Sequence, residues 1–237
     1  VDKLAAHYFL QHVKKVFSKE KIRDLREDIT KLEQLIQPDS LTEREKLALE
    51  RGESADSLRK ETCWYELWKN LNPTFINFLT PFTWLIFPIQ VRAVQDIKQF
   101  APWHQDIGFQ KALKDRGHRQ VMTCFIPLEE NPVNHTTLQF SLKKTDFIEH
   151  KPLNGYSAGI ENYPFSQLCH YQLELGDALL FGDLVPHRTF LPEEGQVYRR
   201  SFEFRLIDPI DALDDKDYYD IVSGKFVRKN AKSMLEV

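Results

Sequence analysis

From about residue 88 onward the chain is cut into short runs of β-branched and aromatic residues, each closed by Gly, Pro, Asn or Asp. Ile89 to Gln95 alternates apolar and polar side chains, Val121 to Leu128 reads as a buried strand, and Thr137 to Phe140 alternates again. Cys169 to Leu175 is a further expected strand, and Ala178 to Phe181 is an apolar one closed by Gly182-Asp183. Arg200 to Ile207 is the cleanest alternation in the chain. Many short strands with such punctuation predict a sandwich or barrel of the jelly-roll kind, mainly β with flanking α. The first 85 residues read as mainly helical. Ile22, Leu25, Ile29, Leu32, Leu35 and Ile36 form one stripe after a Ser18 N-cap, and Pro38 stops it. Thr42 to Glu45 is a capping box, with Gly52 as the stop of its helix. Further helices are expected over Asp56–Asn70 and after Pro73. The chain is thus expected to be one domain: a helical part over 1–85, a jelly-roll core over 86–210, and a surface tail over 211–237.

Composition removes several classes of function. Hydrophobic residues at 42% and charged residues at 28% argue for a globular chain. A formal net charge of -3 lacks the basic excess of a nucleic-acid binder. No apolar run approaches the roughly 20 residues of a membrane span, and no signal peptide is visible. Cys63, Cys124 and Cys169 are widely spaced, which points to free thiols in a reducing, cytoplasmic setting. Seventeen Phe make the core bulky.

The chemistry centres on Trp103-His104-Gln105-Asp106. Residues two apart on a strand share a face, so His104 and Asp106 can aim at one point. His187, after the turn Gly182 to Pro186, is the expected third ligand. Two histidines and one carboxylate on one face of an octahedron leave positions open, the arrangement suited to non-haem Fe(II). Arg199 and Arg200 open the strand that follows. A guanidinium there matches the far carboxylate of a dicarboxylate co-substrate. Phe202, Phe204 and Leu206 share the parity of Arg200, whereas Ser201, Glu203 and Arg205 share that of Arg199. If helices cover the apolar face, Arg199 is the inward clamp and Arg200 the runner-up. Gln90, Arg92, Gln95 and Lys98 lie on the preceding strand and are alternatives for one further donor to the co-substrate, with exposed edge positions as the rival reading. Trp103, Phe109, Gln110 and Arg188 flank the ligands and are candidates for substrate contact. Thr123 sits centrally in its strand, where it either faces the cavity or is buried and locally satisfied, the second being the preferred account.

Taken together, Trp103-His104-Gln105-Asp106, Gly176-Asp177-Ala178-Leu179-Leu180-Phe181, His187-Arg188-Thr189 and Arg199-Arg200-Ser201 resemble the phytanoyl-CoA dioxygenase family of Fe(II)/2-oxoglutarate oxygenases. The resemblance implies a double-stranded β-helix braced by N-terminal helices, with His104, Asp106 and His187 as iron ligands. It implies Arg199 on the distal carboxylate of 2-oxoglutarate, with a hydroxyl contribution from Thr189. It further implies O2 as a co-substrate and hydroxylation of a small molecule, with succinate and CO2 released. Asp106 favours hydroxylation over halogenation, because chlorinating relatives lack the carboxylate. The family's Gly-Ser-His element has no counterpart in Asn134–Lys143. Two rivals stand beside this reading: a cupin-like metal enzyme that does not use 2-oxoglutarate, and a non-catalytic metal- or ligand-binding jelly roll. The stretch from Asp146 to Gln167 is expected to be irregular and to cover the active site.

Overall fold

The computed structural model describes residues 7–109, 120–129, 136–153, 156–193, 195–214 and 216–228. The chain opens with strand β1 (Leu10–Val13) and helices α1 (Lys19–Leu35), α2 (Glu43–Glu50), α3 (Asp56–Arg59) and α4 (Pro73–Leu79). Strands β2 (Trp84–Phe87), β3 (Gln90–Val94), β4 (Val121–Pro127), β5 (Thr137–Ser141), β6 (Lys151–Leu153) and β7 (Tyr156–Gly159) follow. The rest is β8 (Leu168–His170), β9 (Ala178–Gly182), β10 (His187–Phe190), β11 (Arg199–Ile207), β12 (Asp217–Asp220) and β13 (Lys225–Arg228).

Helix α1 forms where the stripe predicts it. The Ser18 hydroxyl accepts from the Lys21 amide, and Ile22, Leu25 and Ile29 are buried. Helix α2 carries the expected capping box, in which Thr42 and Glu45 satisfy each other's backbone amides. Gly52, at φ +73°, makes the turn that ends it. The expected helix over Asp56–Asn70 is different. It breaks after α3 and continues as a 3-10 turn over Thr62–Trp68. Trp64, Tyr65, Leu67 and Trp68 are all buried there, and the Trp64 indole donates to the Leu58 carbonyl at 2.7 Å. Burial of adjacent aromatics overrides one-face periodicity.

The strands form an eight-stranded sheet in the order β1-β9-β4-β11-β2-β12-β13, with β3 also paired to β11, and a three-stranded sheet β10-β5-β8. Strands β6 and β7 form a separate hairpin, and every named pairing is antiparallel. The architecture is the jelly roll that the strand pattern predicts. The outer face of the large sheet carries Cys124, Ile126, Leu180, Phe202 and Phe204, which pack with Ile22, Leu25, Trp64 and Trp68 of the helical layer. The inner faces of the two sheets bring together Phe125, Leu179, Phe181, Leu138 and Phe140. Core residues thus alternate between two layers along single strands.

Three local expectations are corrected. Of the Cys169–Leu175 run only Cys169 and His170 lie in a strand, the end of β8. Asp177 gathers the run into a turn, accepting from the amides of Glu174 and Lys15 (each 3.0 Å) and from the His12 ring at 2.8 Å. The segment after residue 210 is more than a surface tail, because β12 pairs with β2 and buries Tyr218 and Tyr219. The stretch 146–167 contains the β6–β7 hairpin, tied down by the Tyr156 hydroxyl to the Gln99 carbonyl at 2.6 Å. Among the described residues, no helix is long and apolar enough to cross a membrane.

The packing gives a stability expectation. Phe204 is fully buried, with its ring 5.3 Å from that of Trp68 and 5.8 Å from those of Tyr65 and Phe202. Phe204→Ala is expected to lower unfolding free energy by about 3–5 kcal/mol in denaturant titrations. A loss below about 1 kcal/mol would mean that the helical layer does not close this core.

Candidate metal centre

Two backbone hydrogen bonds build the site. The His104 amide donates to the His187 carbonyl and the His187 amide to the His104 carbonyl, each at 2.9 Å. This antiparallel bridge places both imidazoles on one face, with ring centroids 4.2 Å apart. Each ring is oriented by its own chain. His104 Nδ1 donates to the Pro102 carbonyl at 2.8 Å, and His187 Nδ1 to the Val185 carbonyl at 3.0 Å. With Nδ1 carrying the proton, each Nε2 presents its lone pair on the side where the two rings and Asp106 converge. Asp106 opens a 3-10 turn two residues after His104. Its Oδ1 lies 3.8 Å from each Nε2. The candidate ligand atoms of the three residues all lie within 4.8 Å of one another, and this is the single such group among the described residues.

The protonation states match a metal site. Burial drives the His104 pKa well below its ordinary value, and the neighbouring His187 pushes it further down. Burial likewise lowers His187. For Asp106, burial acts upward, but Arg205 first, then the two histidines and the Thr123 hydroxyl, hold its carboxyl at about 2. Arg205 Nη2 reaches Asp106 Oδ1 at 3.3 Å, and the Thr123 hydroxyl donates to Oδ2. The centre is therefore two neutral imidazoles and one carboxylate, the forms that bind metal. Of the two sequence readings of Thr123, the less favoured one, facing the cavity, is the one that agrees with its hydrogen bond to the carboxylate.

Gln105, the residue between the two ligands, is wholly buried and joins three segments. Its Nε2 donates to the carbonyls of Leu184 (2.8 Å) and Asp146 (3.1 Å), and its Oε1 accepts from the Ile148 amide (2.8 Å). Its own amide donates to His150 Nε2 at 2.9 Å. The turn leading to His187 and the 146–150 strap are thereby fixed to the His104–Asp106 loop.

The inner face of β11 carries Arg199, Ser201, Glu203 and Arg205, as parity predicts. Arg199 is buried, with Nη1 donating to the Thr137 carbonyl at 3.4 Å and the guanidinium 5.3 Å over the Phe125 ring. Its Nη2 approaches Glu203 Oε1 only to 4.0 Å. Burial, and then the charge of Arg92, lower its pKa to about 10. Among the described residues, four polar atoms on this face are buried without a hydrogen-bond partner: Arg92 Nε, Arg199 Nε, Ser201 Oγ and Arg205 Nη1. Ser201 and Arg205 were not singled out from sequence, although the alternation already put them on the face of Arg199, whereas Arg92 was among the candidates on the preceding strand.

Other candidates are placed elsewhere. Arg200 faces the helical layer, donating to Glu33 Oε2 at 2.9 Å and Thr30 Oγ1 at 3.0 Å. It is therefore not an inward clamp. Gln95 is exposed after β3, its amide donating to the Gln99 side chain at 2.7 Å, and stands apart from the inward donors. Thr189 is buried beyond His187, and its hydroxyl accepts from the Ala101 amide at 3.1 Å, which ties the two ligand strands together. Trp103 and Arg188 meet each other on the outer side of those strands, the guanidinium 5.0 Å from the ring. Phe109 ends the 3-10 turn opened by Asp106, and Gln110 lies outside the described residues.

Two outcomes follow for measurement. Buried histidines that stay neutral when folded gain protons on unfolding, so the metal-free protein is expected to lose stability as pH falls below about 6.5. The slope should be about 1.4 kcal/mol per pH unit for each histidine. Urea titrations in chelator check this, and the His104→Gln/His187→Gln protein should show the shallower profile. Gln105→Leu, which strips the joint between ligand segments, is expected to weaken divalent-metal affinity by roughly 10–100-fold in chelator competition.

No family model matches the chain, and no curated protein matches it. Solved structures do resemble it. The non-heme alpha ketoglutarate dependent epimerase SnoN from nogalamycin biosynthesis aligns over 87% of this chain and 82% of its own, at 16% identity and a TM-score of 0.56. EvdO2 from Micromonospora carbonacea var. aurantiaca aligns over 88% of this chain and 91% of its own, at 14% identity and a TM-score of 0.56. The carbocyclase SnoK from nogalamycin biosynthesis aligns over 93% and 86%, at 12% identity and a TM-score of 0.50. At these identities the likeness is one of fold, and the chain has the jelly-roll fold that these structures share.

Proposed function

We propose that the protein is an Fe(II)- and 2-oxoglutarate-dependent oxygenase that oxidises a C–H bond of a small molecule. The observation that carries this reading is the convergence of His104, Asp106 and His187 beside a face of buried donors that lack acceptors. Two imidazoles and one carboxylate form the donor set that suits ferrous iron with open positions. The unpartnered Arg199 Nε and Ser201 Oγ call for an anion, and a dicarboxylate brings the missing acceptors. Iron and 2-oxoglutarate, when bound, supply the oxidising chemistry with O2 and leave succinate and CO2.

The chain's own part is positioning. His104, Asp106 and His187 hold one side of the metal and leave the other to co-substrates. Thr123 and Arg205 keep the carboxylate ionised and pointed at the centre. Arg199 and Ser201 take the far carboxylate, while the packed inner faces exclude water. Structures of the same fold are described with Fe3+, alpha ketoglutarate and nogalamycin RO (SnoN) and with 2-oxoglutarate (EvdO2), which supports a small-molecule substrate here. Hydroxylation is the outcome we assign, on the strength of Asp106 and the phytanoyl-CoA dioxygenase-like motifs. The free thiols of Cys63, Cys124 and Cys169 fit a reducing compartment such as the cytoplasm.

One observation favours a second reading. Glu203 lies between Arg199 (4.0 Å) and Arg205 (3.7 Å), so a carboxylate already stands beside the clamp. A metal enzyme that does not use 2-oxoglutarate would retain that pairing. Anaerobic Fe(II) followed by 2-oxoglutarate separates the two. A weak visible charge-transfer band marks the keto acid on iron, and its absence with iron bound favours the second reading. Asp106→Ala and His187→Ala are expected to abolish iron retention and succinate formation. Arg199→Ala should raise the KM for 2-oxoglutarate by roughly 10–100-fold, the loss of one charge-assisted contact.

A further inference from the structure

Behind the ligand strands lies a groove of about 590 Å³. Its wall is Trp103 and Arg188, each the sequence neighbour of a metal-site histidine, with Leu153, Ile160 and Lys98 around them. Along β10, His187 is buried and Arg188 half-exposed, so alternation turns Arg188 away from the metal. The groove therefore follows the side of the strands that Trp103 and Arg188 face, while buried Thr189, on the parity of His187, also borders it.

Its chemistry is distinctive. Trp103 stacks on Phe165, with centroids 4.3 Å apart and planes at 24°. The Arg188 guanidinium covers the Trp103 ring at 5.0 Å, held there by Nε donating to Gln139 Oε1 at 2.9 Å. That bond uses one donor of the fork and leaves the Nη nitrogens for a ligand. Lys98 is exposed at the rim, and among the described residues none that lines the groove is acidic. Among the described residues, neither Lys98 nor Arg188 is ion-paired to a carboxylate. Two cations without counter-charges thus stand over an aromatic and aliphatic floor. Phe165 and Arg188 already cover the Trp103 ring, so a flat apolar body packs against the aliphatic side chains of Leu153 and Ile160 beside that stack, and an anionic group answers the cations.

We propose that this groove is a binding site for an organic anion with a flat apolar body, separate from the metal cavity. It goes beyond the oxygenase reading and does not depend on it. Such a ligand would rest on the two strands that carry His104 and His187.

The probe is 8-anilinonaphthalene-1-sulfonate, titrated by fluorescence, with the uncharged N-phenyl-1-naphthylamine as control. Saturable binding of the sulfonate is expected. Lys98→Gln/Arg188→Gln should weaken it by roughly tenfold or more, while binding of the uncharged control changes less than about twofold. Asp106→Asn, which disables the metal site without touching the groove, should leave sulfonate affinity unchanged. Equal sulfonate binding by the double variant and the unaltered protein would overturn the proposal. So would a loss of sulfonate binding in Asp106→Asn, because the probe would then occupy the metal cavity. Equal losses for both probes in the double variant would overturn the anion recognition. Circular dichroism of each variant confirms that the fold is retained.

Discussion

The site depends on one reciprocal pair of backbone hydrogen bonds, between His104 and His187. These residues lie far apart in sequence, and neither belongs to a long paired ladder on its own. The bridge fixes which face each imidazole takes, because a one-residue slip would send one ring to the outer side. Thr189 reinforces the register by accepting from the Ala101 amide, and its own amide donates to the Ala101 carbonyl at 3.0 Å. Gln105 adds a side-chain clamp to the turn before His187. The metal-binding geometry is thus built mainly from backbone register, with the side chains oriented by short local contacts.

Strand β11 connects that geometry to the rest of the fold. Its outward residues Phe202 and Phe204 anchor the helical layer, and its inward residues Arg199, Ser201 and Arg205 face the site. Arg200 belongs to the outward set and pairs with Glu33 of α1. The same alternation therefore joins core stability to site construction. A change in register would exchange aromatic and charged residues, burying guanidiniums against Trp64 and Trp68. Such a state is strongly disfavoured by the cost of burying unpaired charge.

This is why much of the site was legible in the sequence. The alternation separated Arg199 from Arg200, and the two-residue spacing of His104 and Asp106 put them together. What was not legible depends on tertiary partners. Thr123 reaches Asp106 only because β4 lies beside β11, where Thr123 is paired with Arg205. The Asp56–Asn70 helix breaks because its aromatics are buried on more than one side. The 211–237 stretch looked like a tail because its charges mask Tyr218 and Tyr219, whose burial depends on pairing with β2. Gln95 looked well placed as a neighbour of a strand, but the strand ends one residue before it.

The interior also explains why a polar cluster persists between two apolar sheets. Arg92, Arg199 and Arg205 share that space with Glu203 and Asp106, and several of their donors have no acceptor. Buried guanidiniums of this kind cost stability unless paired. The pairing within the chain is loose: Arg199 to Glu203 is 4.0 Å, and Arg205 to Glu203 is 3.7 Å. Arg92 is better satisfied, donating to the Arg51 carbonyl at 2.9 Å and to the Tyr156 hydroxyl at 3.3 Å. The unfinished bonds thus concentrate on β11, on the face that also holds Asp106. A divalent cation bound by Asp106 would compete with Arg205 for Oδ1 and release that guanidinium toward an anion. Metal and dicarboxylate would then each complete contacts that the other leaves open, so their affinities should be coupled through Asp106, Arg205 and Glu203.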